Sequence, residues 1–475
     1  MVAYGEFRKP YEKDSQDQRL VFYGIRYIIE NYIHKKFTVE DVEQAAVFFE
    51  HHNAGATNFP FPKDLFLKFV KENNGYFPVK IQALPEGSVI YPHVPVYQIT
   101  AEGEYARLVT YLETLLTMVW YPSTVATLSR RCKTIIEDAY AETVDESGYW
   151  SLASRLHDFG FRGCTSVEQS IIGGTAHLLN FEGTDTLSAC WYAQYKLNNG
   201  KPVGYSIPAT EHSVMTAHIN EKAAMTKLLK EFGSGVCACV MDSYNYTNAL
   251  EAVLPSVASL KVNKGGFLVL RPDSGDPIQV VLQALRAADS IFGSDVNQKG
   301  YKVLRGVGVI QGDGINVHTL KAISVAVKNA GYSAQNVAYG MGGGLLQKLN
   351  RDTMSFATKL CKIIYADGIS RNVMKMPKED PGKRSIPGET HIVREDNQLP
   401  IVYPAESAPA LPNELVVVYD HGKIPKWDDF ETVRNRIATQ WKNCPKVHNP
   451  ISKELSDKMV EIESAQLAVN EAEDV

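Results

Sequence analysis

Residues 267–275 read Phe-Leu-Val-Leu-Arg-Pro-Asp-Ser-Gly, an apolar run that ends abruptly in a cation, a carboxylate and a glycine. The same pattern occurs six times between His177 and Gly344, and a stretch of helical character usually follows it. Apolar runs of this length that alternate with helices are typical of parallel strands buried on both faces. We therefore predict six barrel strands, at residues 177–181, 203–207, 236–240, 267–270, 307–310 and 337–339.

The remaining sequence predicts a second domain, because 475 residues exceed one ordinary hydrophobic core. Its predicted elements are helices at about 17–52, 64–73, 104–119 and 122–142, a β-rich segment at 76–100, a long loop at 367–397, and a strand pair of 385–387 with 401–403. The predicted fold is α/β. An irregular β/α barrel occupies residues 147–350, and a discontinuous α+β domain is built from residues 1–146 and 351–475.

The composition excludes several classes of protein. The formal net charge is -5 and no long basic run occurs, which argues against a nucleic-acid partner. No signal peptide and no apolar stretch of membrane-spanning length is present, and the seven scattered cysteines fit a reducing compartment. We expect a cytoplasmic protein without a membrane partner.

Two glycine-rich turns predict anion and sugar binding. The turn at 340–344 follows a predicted strand and opens a helix, so the backbone N–H groups of Gly342 and Gly343 can converge on a phosphate. A plain tight turn is the alternative. In the turn at 311–314, Gly312 precedes Asp313, whose carboxylate can accept hydrogen bonds from vicinal ribose hydroxyls.

Charged residues follow the other strands. Arg271 offers a fork for phosphate, and Asp273 offers a carboxylate for Mg²⁺ or sugar hydroxyls, although a simple surface ion pair is the alternative. Glu211 precedes His212, and Asp242 ends a later strand. A carboxylate that holds one imidazole nitrogen makes the other more nucleophilic, so His212 is a candidate general base or phosphoryl acceptor, unless it is a structural histidine.

The order of six motifs resembles the nicotinamide phosphoribosyltransferase family of type II phosphoribosyltransferases. The resemblance extends from about Tyr4 to residues 383–385. The motifs are HDFGFRG at 157–163, GTDT at 183–186, PATEHS at 208–213, RPDSG at 271–275, IQGDG at 310–314 and GGGLLQK at 342–348. The resemblance implies transfer of the phosphoribosyl group of phosphoribosyl pyrophosphate to nicotinamide in NAD salvage. It also implies Mg²⁺, a homodimer with shared active sites, and ATP hydrolysis coupled through a phosphohistidine.

The resemblance also assigns roles to residues. Phe159 is expected to stack on the pyridine ring and Asp185 to accept from the amide N–H₂ group. His212 is the expected phosphohistidine, polarised by Glu211 and Asp242. The other implied binding residues are Arg162, Gly343 and Arg351 for the 5′-phosphate, Arg271, Asp273 and Asp313 for the ribosyl and phosphate groups, Arg8, Lys359 and Lys383 on the partner side, and His157, Ser206, Gly312 and Gly342. Asp242 and Asp273 are the implied Mg²⁺ ligands, through the substrate phosphates.

Alternative functions remain at this point. Asp185 favours the amide, because a carboxylate facing nicotinate would repel it. Nicotinate phosphoribosyltransferase is nevertheless an alternative, with Asp185 as a helix cap. The family pattern opens with Asp-x-Tyr-Lys, whose Tyr covers the base from the partner subunit, whereas residues 1–8 in this chain read MVAYGEFR. A catalytically impaired dimeric homologue that lacks the Tyr segment is therefore a second alternative. Without the resemblance, a general sugar-phosphate enzyme on a β/α barrel is the third.

Overall fold

The computed structural model describes residues 1–14, 16–55, 57–394 and 399–473. The chain forms two compact units, one of residues 1–127 with 350–475 and one of residues 128–349. The second unit begins earlier than the predicted residue 147, because residues 128–143 belong to a helix that bonds to barrel elements. Within this unit, Ser129 contacts His177, and the Asn297 amide donates to the Thr143 carbonyl at 2.8 Å.

Strands and α-helices occur in both units. In chain order, the strands are β1 Val2–Phe7, β2 Leu20–Val21, β3 Lys80–Ala83, β4 Val89–Ile90, β5 Pro95–Thr100, β6 Leu156–Asp158, β7 Val236–Val240, β8 Phe267–Arg271, β9 Ser294–Val296, β10 Lys302–Leu304, β11 Val307–Gln311, β12 Val337–Met341, β13 Phe356–Ile364, β14 Ser370–Asn372, β15 Thr390–Arg394, β16 Pro400–Pro404 and β17 Val416–Asp420. The α-helices are α1 Ile25–Ile28, α2 Val39–Glu50, α3 Lys63–Glu72, α4 Leu108–Tyr111, α5 Glu113–Thr117, α6 Trp120–Thr143, α7 Val167–Leu178, α8 Leu187–Tyr192, α9 His212–Thr216, α10 Glu221–Phe232, α11 Tyr246–Asn248, α12 Leu254–Lys264, α13 Pro277–Phe292, α14 Val317–Asn329, α15 Gly343–Leu346, α16 Phe430–Asn443 and α17 Lys453–Glu473.

The first unit is built on a six-stranded antiparallel sheet in the order β14-β13-β1-β5-β3-β17. Helix α2 begins at the capping box of Thr38 and Asp41. The start of a second helix at Thr38 and Asp41 is thus confirmed, but the helical character predicted from residue 17 is wrong at its start, because Leu20–Val21 is a strand. The predicted strand at 385–387 is also wrong. Ser385 instead bonds to the backbone of Lys375, and β15 supplies the partner of β16.

The second unit is an irregular β/α barrel, as predicted. Five parallel strands form a sheet in the order β6-β12-β11-β8-β7. Isolated parallel bridges continue the wall from β6 through residues 183–184 and 205–209 back to β7; the bridged pairs are Asp158 with Thr184, Gly183 with Tyr205, and Ala209 with Ala238. Asn220, Asp276 and Asn316 cap the outer helices α10, α13 and α14, so each helix starts where a polar residue satisfies its first N–H groups.

Two of the six predicted barrel strands are wrong. Residues 177 and 178 end helix α7, whose last residues are buried, and a buried helix end cannot be distinguished from a strand by apolar character alone. The run at 203–207 contributes one bridge, at Tyr205, and no regular strand. The three-residue strand β6 was missed because it holds two polar residues, His157 and Asp158.

No described helix combines the length and apolar character needed to cross a bilayer.

Candidate active site

The C-terminal ends of the barrel strands bring predicted residues together. A cavity of about 270 Å³ is lined by Phe159, Phe161, Arg162, Asp185, Thr186, Glu211, His212 and Arg271. Six of these eight residues were predicted, and Phe161 and Thr186 were missed. Phe161 carried a signal, since it is a second aromatic residue in the same loop as Phe159. The volume suits a small planar ligand better than a drug-sized one.

The Phe159 ring lies against glycine backbone. A Cβ atom at Gly340 would lie 2.1 Å from Cε2 of the ring, and one at Gly312 would lie 3.2 Å from the same atom. The Arg271 guanidinium carbon is 5.2 Å from the ring centroid, within the range of a cation–π contact. Strands β11 and β12 therefore leave space at these glycines that the aromatic ring fills.

Asp185 is oriented by a neighbouring hydroxyl. Ser206 donates a hydrogen bond from Oγ to Oδ1 of Asp185 at 2.5 Å, and Nδ1 of His157 lies 4.0 Å from the same oxygen. Burial, together with the Arg155 charge, lowers the pKa of His157 in spite of the Asp185 carboxylate. His157 is therefore expected to be neutral at pH 7. Ser206 and His157, predicted as substrate-binding residues, both lie beside Asp185.

Asp158 is a buried carboxyl group that the sequence reasoning missed. Its Oδ1 accepts a hydrogen bond from the Gly160 N–H at 2.7 Å, while Oδ2 is buried without a hydrogen-bond partner among the described residues. Burial raises the pKa of Asp158 to about 7, although the Gly160 N–H opposes the rise. An Asp two residues before a Gly is a known turn signal, and this one shapes the loop that carries Phe159.

His212 is held by one of its two predicted carboxylate partners. Its Nε2 lies 3.0 Å from Oδ1 of Asp242, and the imidazole is 46% exposed whereas Asp242 is nearly buried. Glu211 instead caps helix α9, because its Oε1 accepts a hydrogen bond from the Ser213 N–H at 3.1 Å. The structure thus supports Asp242, rather than Glu211, as the residue that orients the imidazole.

Arg271 and Asp273 form a forked ion pair at the end of β8. The Nη2 atom of Arg271 lies 3.0 Å and 2.9 Å from the two carboxylate oxygens of Asp273, and Nε lies 3.2 Å from Oδ1. Arg271 pairs in register with Val240, two residues before Asp242. Asp242 and Asp273 therefore follow neighbouring strands at equivalent positions. The described residues contain no group of three or more His, Cys, Asp or Glu side chains arranged for a metal ion.

The glycine turn after β12 is tied to the loop that carries Arg162. Gln347 donates from Nε2 to the Gly160 carbonyl at 2.9 Å and to Sγ of Cys164 at 3.2 Å. A Cβ atom at Gly343 would meet only Gln347 Oε1, at 3.7 Å, so the turn is open. Gly342 precedes the short helix α15 as its cap.

The exposed Asp313 follows β11 in the other glycine-rich turn. Its backbone carbonyl accepts a hydrogen bond from the Gln311 side-chain amide at 2.9 Å.

Four predicted residues belong to the first unit: Arg8, Arg351, Lys359 and Lys383. Arg8 donates from Nε to Glu6 at 2.8 Å, and Glu6 is fully buried. Burial lowers the pKa of Lys359, and the charge of Arg8 adds to this effect. Lys383 pairs with Asp380 at 3.1 Å, and Arg351 lies 3.4 Å from Asp352. Arg8 and Lys359 thus lie close enough to interact, while the charge of Arg8 is paired with that of Glu6.

Comparisons with known proteins identify the family of the chain. The sequence profile of the Nicotinate phosphoribosyltransferase (NAPRTase) family matches residues 154–406. The chain is 42% identical over 381 residues to the nicotinamide phosphoribosyltransferase of Xanthomonas campestris pv. campestris, covering 79% of this chain and 80% of that protein. It is 28% identical over 453 residues to the enzyme of the same name from Acinetobacter baylyi, covering 89% of each.

A solved structure supports the fold. The crystal structure of human nicotinic acid phosphoribosyltransferase superposes with a TM-score of 0.62 at 17% identity, covering 97% of this chain and 95% of that one. At this identity the likeness concerns the fold alone. The profile match spans more than half of the chain, and the Xanthomonas relative is 42% identical over about four fifths of both chains. The chain therefore belongs to the nicotinate phosphoribosyltransferase family.

Proposed function

We propose that this protein transfers the phosphoribosyl group of phosphoribosyl pyrophosphate to nicotinamide, giving nicotinamide mononucleotide and pyrophosphate in NAD salvage. The observation that carries the proposal is the placement of Phe159, Asp185 and Arg271 around one cavity of about 270 Å³. An aromatic face, a hydrogen-bond acceptor and a cation are what an aromatic amide and a phosphorylated sugar require. Two relatives bear the name nicotinamide phosphoribosyltransferase, which supports the same substrate pair.

Recognition of the base follows from two side chains. The Phe159 ring offers a flat apolar surface for stacking of the pyridine ring. Ser206 donates to Oδ1 of Asp185, which leaves lone pairs on the carboxylate for the amide N–H₂ group of nicotinamide. Nicotinate would place a second carboxylate against Asp185, and opposed like charges cost several kcal/mol. The site therefore favours the amide over the acid.

The transfer step needs charge stabilisation more than proton transfer. The pyridine nitrogen attacks the anomeric carbon and carries no proton, so no strong general base is required. The ribose passes through an oxocarbenium-like state that nearby carboxylates stabilise; Asp273 and Asp313 are the candidates. Arg271 is proposed to bind the departing phosphate groups, and a Mg²⁺ ion bound to pyrophosphate would spread its charge. Mg²⁺ prefers one or two carboxylates with substrate phosphates, and Asp242 and Asp273 can supply these.

His212 is proposed to serve as a phosphoryl acceptor. Asp242 holds one ring nitrogen at 3.0 Å, which leaves the other nitrogen to attack the γ-phosphorus of ATP with release of ADP. The phosphohistidine would add negative charge close to the phosphate site. The imidazole is 46% exposed, so a nucleotide can reach it. We further propose a homodimer with shared active sites, in which Arg8, Lys359, Lys383 and Arg351 bind phosphate, as the resemblance implies.

A side-by-side assay tests the function. The protein is incubated with phosphoribosyl pyrophosphate and either nicotinamide or nicotinate, and mononucleotide is quantified for each base. We expect kcat/KM to be higher for nicotinamide. Preference for nicotinate would assign the protein to the acid-specific activity, and absence of both products would identify an inactive homologue.

The phosphoryl step has its own test. Incubation with γ-labelled ATP is expected to place acid-labile phosphate on the protein, and His212→Asn is expected to abolish the label. His218→Asn is the matched control, because His218 is a partly exposed histidine just beyond the same short helix, and its Nδ1 lies 2.8 Å from the Val214 carbonyl. Equal labelling of both variants would exclude His212 as the acceptor.

A further inference from the structure

His177 is a fully buried histidine at the end of α7, and both of its ring nitrogens have partners. The Ser129 hydroxyl lies 3.0 Å from Nδ1. The Nε2 atom lies 3.1 Å from the Leu156 carbonyl and 3.0 Å from the Gly183 carbonyl. The ring stacks on Phe181, with 5.3 Å between centroids and 18° between planes. The imidazole is therefore fixed in position and in rotation.

The partners also determine where its proton lies. A carbonyl can only accept, so Nε2 must carry a hydrogen to satisfy either contact. A Ser hydroxyl can either donate or accept, so Ser129 can donate to Nδ1 when the hydrogen is on Nε2. The two carbonyls thereby select this tautomer of His177, and Ser129 holds the opposite edge of the ring.

The two carbonyls belong to the segments that carry the proposed base-binding residues. Leu156 begins β6, three residues before Phe159. Gly183 lies two residues before Asp185. The Nε2–H group of His177 thus bonds to both segments, the one that leads to Phe159 and the one that leads to Asp185.

Few backbone hydrogen bonds join these two segments, so the His177 side chain contributes much to their alignment. They form one isolated bridge, Asp158 with Thr184. The Asp158 N–H donates to the Gly183 carbonyl at 3.4 Å, and the Asp185 N–H donates to the Asp158 carbonyl at 3.0 Å. The Gly183 carbonyl therefore receives a long backbone bond and the shorter bond from the imidazole. Loss of the imidazole would leave the Gly183 carbonyl with the long bond alone, and the Asp185–Asp158 bond would be the one short backbone bond between the two segments within the described residues.

We propose that His177 is a positioning residue that sets the placement of Asp185 relative to Phe159, and with it the affinity for the base. The inference rests on the proposed function, in which these two residues bind nicotinamide. His177 touches no substrate and acts through the two backbone carbonyls. Its effect is therefore specific to the base and leaves recognition of phosphoribosyl pyrophosphate unchanged.

Two substitutions of His177 distinguish the role of the Nε2–H donor from that of the size of the ring. The Gln side chain in His177→Gln carries an N–H₂ group at about the reach of Nε2, so it can still donate to both carbonyls. His177→Asn carries its N–H₂ group at about the reach of Nδ1, so it cannot. We expect His177→Asn to raise the KM for nicotinamide about tenfold, and His177→Gln less than threefold, with the KM for phosphoribosyl pyrophosphate within twofold of wild type in both.

Ser129→Ala provides a milder test that does not alter the ring. It removes the hydroxyl that holds Nδ1 and with it the rotation of the ring, so the KM for nicotinamide is expected to rise about threefold to fivefold. Ser324→Ala is the matched control, because it deletes another buried hydroxyl of the same unit, bonded at 2.9 Å to the Leu320 carbonyl and at 2.9 Å to the Tyr339 hydroxyl. It is expected to lower the melting temperature by a similar amount and to leave the KM for nicotinamide unchanged.

The outcomes are distinguishable. A parallel rise in the KM of both substrates, or an unchanged KM for nicotinamide in folded His177→Asn, would overturn the proposal. If His177→Asn does not fold, Ser129→Ala compared with Ser324→Ala decides in the same way. If wild type uses nicotinate instead of nicotinamide, the proposed function fails. The same four variants assayed with nicotinate then still test whether His177 positions the base site.

Discussion

The barrel wall has a regular side and an irregular side, and the two sides hold their functional residues differently. On the regular side, β7, β8, β11 and β12 pair along several residues each, and the chain leaves each strand at a defined point. On the irregular side, residues 183–209 are attached by single bridges. The regular side carries Arg271 and Asp273, which suit phosphate and ribose. The irregular side carries Asp185, which suits the variable part of a base.

This difference suggests a division of work within the site. Ladder hydrogen bonds fix the proposed phosphate-binding side independently of its side chains. The proposed base-binding side depends on side-chain contacts, such as those of His177 and Ser206, so it can change specificity without loss of the fold. Substitutions on the irregular side should then alter selectivity, whereas those on the regular side should alter turnover of every base.

The largest expected effect is a change of selectivity at Asp185. Asp185→Ser removes the carboxylate that would repel nicotinate, and relief of about 2 kcal/mol corresponds to roughly a thirtyfold gain for nicotinate relative to nicotinamide. Steady-state kcat/KM for the two bases measures the ratio. Leu187→Ser is a suitable control, since Leu187 lies two residues on and is 75% exposed. An equal or lower relative use of nicotinate would contradict the role of Asp185.

A substitution on the regular side should instead impair both bases. The Cβ atom of Gly340→Ala would lie 2.1 Å from Phe159 Cε2, so the ring must leave its position. Such overpacking costs about 1–3 kcal/mol, and we expect kcat/KM for nicotinamide and nicotinate to fall together by about tenfold or more. At Gly235→Ala, the control, the new Cβ would meet only the Phe232 carbonyl, at 3.8 Å. A fall in kcat/KM for one base alone would mean that Phe159 does not contact both bases.

A smaller effect is expected from the hydroxyl that orients Asp185. Ser206→Ala removes the donor to Oδ1, and a net hydrogen bond to a charged group is worth about 1.5–3 kcal/mol when buried but less at this exposed position. We expect the KM for nicotinamide to rise about fivefold. Ser206→Thr retains a hydroxyl and should restore most of the affinity. If the Ala and Thr variants behave alike, the hydroxyl does not orient the carboxylate.

The regular side was also the part that the sequence predicted well. The runs that became β7, β8, β11 and β12 are continuous and apolar. Both faces are buried in β11 and β12, and nearly so in β7, whereas one face of β8 is only half-buried. The run at 177–181 satisfied the same criterion, yet it ends a helix. No local pattern marks that His177 donates to Leu156 and Gly183, since such contacts depend on the closed barrel.

In the candidate site, too, the residues at the ends of regular strands could be predicted, whereas contacts that depend on the folded barrel could not. Arg271, Asp242 and His212 could be located because strand ends of a barrel converge. Glu211 was assigned the wrong contact, because an acidic residue just before a helix serves equally well as a cap. The role of Asp158 became visible only with its burial, which the sequence does not encode locally.

The smallest effect on turnover is expected at Asp158, where the consequence is a pH-dependent stability. Burial raises its pKa to about 7, whereas the unfolded chain releases the proton near 3.8. Below about pH 4 the carboxyl group is neutral in both states. As the pH rises towards 7 the unfolded state loses its proton first, so the contribution of Asp158 to stability falls until the folded pKa is passed, and then stays low.

Asp158→Asn cannot ionise and retains an oxygen for the Gly160 N–H, so it should escape this loss. Its melting temperature relative to wild type should increase between pH 5 and pH 8, by an amount corresponding to about 1–3 kcal/mol, while kcat at pH 7 changes less than twofold. Differential scanning fluorimetry across that range measures the trend. Asp276→Asn, at the exposed cap of α13, should show no such increase, because Asn caps a helix as well as Asp. A constant difference between Asp158→Asn and wild type would mean that Asp158 is ionised in the folded protein throughout this range, and that burial does not raise its pKa.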